Sequence, residues 1–71
     1  MKEIVFEVTQ EADGGYCAEA LGEAIFTQAD DWEALRANAR EAVEAHFHNR
    51  NDKPAALRLH LVRDELLACN Q

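Results

Sequence analysis

Residues 22–35, Gly-Glu-Ala-Ile-Phe-Thr-Gln-Ala-Asp-Asp-Trp-Glu-Ala-Leu, constrain the fold more than any other part of the chain. A short apolar stretch, residues 24–28, runs through two consecutive aspartates, Asp30 and Asp31, into a long segment with helical spacing. Either carboxylate can accept from the free N–H groups of a first helical turn and oppose the helix dipole favourably. Asp30 with Glu33 also has the spacing of a capping box, with Asp in place of Ser or Thr. At about 100° per residue, Trp32, Leu35, Ala39, Ala42, Val43 and Phe47 fall on one arc, with Glu33, Ala37, Glu41, Glu44 and His48 opposite. That pattern predicts an amphipathic helix lying on a sheet. Asn49-Arg50-Asn51-Asp52-Lys53-Pro54 ends it with loop-forming residues and a proline that cannot continue it.

The strands are read from a period of two. Ile4, Phe6 and Val8 alternate with Glu3, Val5, Glu7 and Thr9, which predicts a first strand over residues 2–10. Asp13-Gly14-Gly15 is a turn sequence whose glycines accept positive φ, and residues 16–21 resume an extended pattern with Tyr16, Ala18 and Ala20 on one side. Gly22-Glu23 reverses the chain again, and residues 24–28 supply a third strand. Beyond the helix, Leu57, Leu59 and Leu61 alternate with Arg58, His60 and Val62 as a fourth strand. A β-β-β-α-β order lets strand four lie parallel to strand one through a right-handed crossover, giving sheet order 3-2-1-4. One face then carries Ile4, Phe6, Val8, Tyr16, Ala18, Leu57, Leu59 and Leu61 toward Trp32, Leu35, Val43 and Phe47. The other carries Glu3, Val5, Glu7, Cys17, Glu19, Arg58, His60 and Val62, where acidic central strands and a basic fourth strand pair across the ladder. Residues 64–68 have the composition for one helical turn. The reading is one α+β domain, residues 1–71, with one helix packed on one face of the sheet.

Seventy-one residues with 48% hydrophobic content form a core of marginal size. Two cysteines, Cys17 and Cys69, are too few for a disulfide framework and are expected to stay reduced. Self-association is the expected remedy, so a homo-oligomer is predicted. Seven basic against fourteen acidic residues give a net charge of −7, whose field repels phosphates and suits a basic protein partner. Direct nucleic-acid binding is not expected. No stretch approaches the roughly 20 apolar residues of a membrane span, and no leader pattern stands at the N-terminus, which predicts a soluble, cytoplasmic protein.

Gly14-Gly15-Tyr16 of the first hairpin, the run Thr27-Gln28-Ala29-Asp30, and the acidic helix start Asp31-Trp32-Glu33 resemble the G-G-Y, T-Q-x-D and acidic-cap motifs of the HicB-like (UPF0150-type) family. The resemblance covers about residues 2–65. It implies a partial ribonuclease H-like fold and a role in binding and occluding a partner, a small basic ribonuclease of the HicA type. The chain departs from the family pattern in two places. Ala20-Leu21-Gly22-Glu23 stands where E-L-P-G-C is usual, and Ala29 replaces a frequent glycine, which implies a stand-alone subfamily. HicB antitoxins add a C-terminal DNA-binding module, and none is expected in these 71 residues. Chains with the A-L-G-x-x-I-F-T and R-L-H-x-V-R pattern also resemble proteins labelled as a branched-chain 2-oxoacid dehydrogenase subunit, yet a thiamine diphosphate enzyme is too large for this chain.

Few residues offer chemistry. A two-metal carboxylate site needs several converging carboxylates, whereas Glu3, Glu7 and Glu19 alternate along strands as a solvated face does. His46 and His48, at i and i+2 on a helix, point about 200° apart and cannot serve one ion with Cys17, Cys69 or His60. His46 is expected at the core edge, bonded to a backbone carbonyl. Arg36 is expected to lay its stem over Trp32 and reach a carboxylate on the sheet. The sharper reading makes Trp32, Arg36, Arg40, Arg58 and His60 a partner-binding set. No catalytic group, cofactor or metal is assigned.

Overall fold

The computed structural model describes residues 2–70. Its elements run β1 (Glu3–Gln10), β2 (Tyr16–Ala20), β3 (Phe26–Ala29), α1 (Trp32–His46) and β4 (Ala56–Val62). The four strands form one sheet in the order β3-β2-β1-β4, antiparallel except for the β1–β4 pair, which is parallel. This is the α+β architecture and strand order that the alternation predicts. Residues 63–70 have no regular structure, so the helical turn expected at residues 64–68 does not form.

Local chemistry explains the boundaries. In the first hairpin, Gly14 takes φ of 96°, a conformation that a Cβ strains. Gly15 is needed for space instead, since a Cβ there would meet the Ala29 carbonyl oxygen at 3.2 Å. Asp31, not Asp30, is the helix N-cap, and its Oδ1 accepts from the Ala34 N–H at 2.8 Å. That places Glu33 at the second helical position, so the Asp30–Glu33 capping box is not made. At the other end the chain turns at Asn49, which adopts φ of 67°, before reaching the buried Pro54.

The core joins the helix to the inner sheet face. Phe6, Val8, Leu35 and Ala39 are fully buried, with Ile4, Ala18, Ala20, Ile25, Val43 and Phe47 around them. Tyr16 and Trp32 pack edge to face with centroids 5.3 Å apart, closing the end nearest the helix start. One expectation fails in part. The helix approaches β3 and β2 most closely and covers β4 only in part, with Leu57 and Leu59 packed against the edge of the core. Leu57 and Leu59 are consequently only half-buried and Leu61 is 42% exposed, although all three face inward.

Candidate functional site

The register of the sheet sets one row of side chains across its open face. Phe26 of β3 stands beside Glu19 of β2, Glu19 is opposite Glu7 of β1, and Glu7 is level with His60 of β4. Two carboxylates directly opposite on antiparallel strands repel each other. Among the described residues neither Glu7 nor Glu19 has an ion-pair partner. Phe26 is 62% exposed at one end of the row, and Leu21, which follows β2, is 59% exposed. The row thus sets two facing carboxylates beside exposed apolar side chains.

Glu3 and Arg58 pair on the same face. The Arg58 guanidinium donates through Nε to Glu3 Oε2 at 2.8 Å and through Nη2 to Glu3 Oε1 at 3.2 Å. These bonds hold the Glu3 carboxyl below its ordinary pKa and raise that of Arg58. The expected attraction between the acidic strands and β4 is realised here on the diagonal, two residues off register, since Arg58 is level with Val5. The Cys17 thiol donates to Glu11 Oε2 at 3.3 Å, and that contact with a carboxylate raises its pKa and keeps it protonated. Cys17 and Cys69 are both free thiols.

The proposed partner-binding set divides between two surfaces. Arg58 and His60 lie on the open face, whereas Trp32, Arg36 and Arg40 line a groove of about 640 Å³ between α1 and β4. Val43, Pro54, Leu57 and Leu59 supply its apolar floor, and Lys53 and Glu44, which pair with each other, sit on its wall. Arg36 Nη1 donates to Glu33 Oε2 at 3.1 Å on its own helix, not to a carboxylate on the sheet as expected. The i, i+3 geometry puts Glu33 closer than any strand residue. His46 also differs from expectation. Its Nε2 lies 2.9 Å from Glu23 Oε1, a side-chain contact that ties the β2–β3 turn to the helix end. Arg50 stacks over the Phe47 ring beside it, 4.6 Å from the centroid. The sequence-based set omits Phe26, whose outward position emerges only once the register with Glu19 is known.

Among the described residues no three or more His, Cys, Asp or Glu side chains converge as metal ligands, and no helix is long and apolar enough to cross a membrane. Fold and surface together define a small α+β protein with an acidic sheet face on one side and a cation-rimmed groove on the other.

A UPF0150 protein of Thermotoga maritima is 37% identical over 67 residues, spanning 94% of this chain and 93% of that one. The chain belongs to the UPF0150 family. A UPF0150 protein of Archaeoglobus fulgidus is 49% identical over 43 residues, which cover 61% of this chain and 65% of the relative. No family model matches the sequence, and no solved structure matches it.

Proposed function

We propose that this UPF0150 protein is a HicB-like interaction module that binds a basic protein through its open sheet face, in the cytoplasm, and acts by occluding that partner rather than by catalysis. The observation that carries this reading is the opposed Glu7–Glu19 couple, without an ion pair among the described residues and with Phe26 at its flank. Repulsion between the two carboxylates is relieved when one Arg or Lys of a partner bridges them, so binding recovers an energy that the free protein forgoes. The net charge of −7 speeds the encounter with such a partner and disfavours phosphate backbones. The finer assignment is a small basic ribonuclease of the HicA type, in keeping with the hairpin and helix-start motifs.

The experiment is inhibition. A small basic ribonuclease of the HicA type, mixed with this protein, should lose RNA cleavage near a one-to-one ratio, with association slowed by added salt. Undiminished cleavage at excess protein would refute the antitoxin-like role. A second reading, a self-assembling scaffold, is favoured by a different observation, the partly open inner face of β4, where Leu57 and Leu59 are half-buried and Leu61 is exposed.

A further inference from the structure

We propose that the groove between α1 and β4 receives residues 63–70 of a second copy of this chain, with Leu66 and Leu67 on its apolar floor and Asp64 and Glu65 against Arg40. The inference is independent of the acidic sheet face and extends the self-association reading to a specific contact.

Four observations converge on this occupant. The first is the arm itself. Leu66 is 98% exposed and Leu67 is 70% exposed, side by side in a segment without regular structure. A body of this chain length has an expected radius of gyration of about 11 Å, whereas the observed value is 14.6 Å with a longest extent of 58 Å. Eight extended residues reach roughly 26 Å, so the arm accounts for the elongation; residues 63–65 run beside the end of β1, and Leu66 and Leu67 stand clear of the body.

The second is the groove. Its floor is apolar, and its lining holds three cations, Arg36, Arg40 and Lys53, against the single carboxylate of Glu44, in a chain of net charge −7. Arg36 is occupied by Glu33 and Lys53 by Glu44, but Arg40 has no ion pair among the described residues. The third is complementarity. The arm presents two acids followed by two leucines, which matches a cation at the rim followed by an apolar floor.

The fourth is topology, which favours exchange over docking within one chain. The groove opens at residues 53–57, beside the start of β4, while the arm leaves from Val62 at the strand's far end. Reaching its own groove requires the arm to double back at once. β4 is also an edge strand with free backbone groups on its outer side. If two copies pair their β4 edges antiparallel, each Val62 comes beside the partner's Ala56, and each arm arrives at the mouth of the opposite groove, where one turn brings it onto the apolar floor. That arrangement is two-fold and closed, with the same contact made twice.

Sedimentation equilibrium of the full chain tests the proposal. The wild type should be dimeric at micromolar concentration. The double variant Leu66→Asp/Leu67→Asp should raise the dimer dissociation constant at least about 100-fold, with an unchanged far-ultraviolet circular dichroism spectrum because both leucines are exposed. Arg40→Glu alone and Asp64→Arg/Glu65→Arg alone should each weaken the homodimer. Mixing those two proteins should restore a heterodimer, since every arm then meets a groove of opposite charge. A monomeric wild type, a leucine variant that dimerises as tightly as wild type, or a mixture that fails to recover would each overturn the proposal. Glu7→Lys/Glu19→Lys should leave dimerisation intact, which separates this contact from the acidic-face reading.

Discussion

Glu7 and Glu19 stand opposite each other in the β1–β2 ladder without an ion-pair partner among the described residues, at the centre of the open sheet face. Replacing Glu19 with Gln removes the repulsion while keeping the size and shape of the side chain. The free protein should become more stable by about 0.2–1 kcal/mol, measured by urea denaturation, and bind its basic partner more weakly. Lower stability for Glu19→Gln would mean that the carboxylate is engaged within the fold.

The Asp31 cap supports the helix start through one bond to the Ala34 N–H. Asp31→Ala should cost about 1 kcal/mol, whereas Asp30→Ala, one residue outside the helix, should change the urea midpoint far less. Equal effects from the two variants would contradict the capping assignment.

Acid should weaken the fold through identified pairs. Arg58 lowers the pKa of Glu3 below its ordinary value, and Arg50 does the same for Asp52. A carboxylate whose folded pKa is depressed contributes stability that is present above its unfolded pKa and lost as pH falls through the folded value. The urea midpoint should therefore drop as pH is lowered below the ordinary carboxylate range, and Glu3→Gln should flatten part of that slope. A slope unchanged in Glu3→Gln would remove the Glu3–Arg58 pair from the account.

Adjacent residues of β4 should separate cleanly. Leu59 faces the groove and Arg58 and His60 face the other side. Leu59→Asp should destabilise the chain and disrupt self-association, since it sets a charge against the apolar floor. His60→Ala should stay within about 0.5 kcal/mol of wild type. Equal stability of both variants would mean that the two faces of β4 are interchanged.

Much of this architecture is legible in the sequence, because period-two alternation at Ile4, Phe6 and Val8 and helical spacing from Trp32 to Phe47 each report which side of an element is apolar. Neither period reports how fully a helix covers each strand, and so Leu57, Leu59 and Leu61 read alike, although Leu57 and Leu59 are half-buried at the core's edge and Leu61 is exposed. The same limit applies to side-chain partners. Arg36 and His46 lie at the margin of the apolar arc, as their positions predict, but their contacts with Glu33 and Glu23 depend on local distances that spacing does not encode. The Glu7–Glu19 opposition and the place of Phe26 require the strand register, which follows from turn geometry at Gly14 and Gly22.

The central claim is that the acidic sheet face carries partner binding. Its most direct test is calorimetric titration of the full chain, and of Glu7→Lys/Glu19→Lys, with a purified small basic ribonuclease of the HicA type. The account predicts saturable one-to-one binding to the wild type that weakens with salt and is lost in the charge-reversed variant, while the variant keeps its fold and its self-association. Binding of equal strength to both proteins would contradict it.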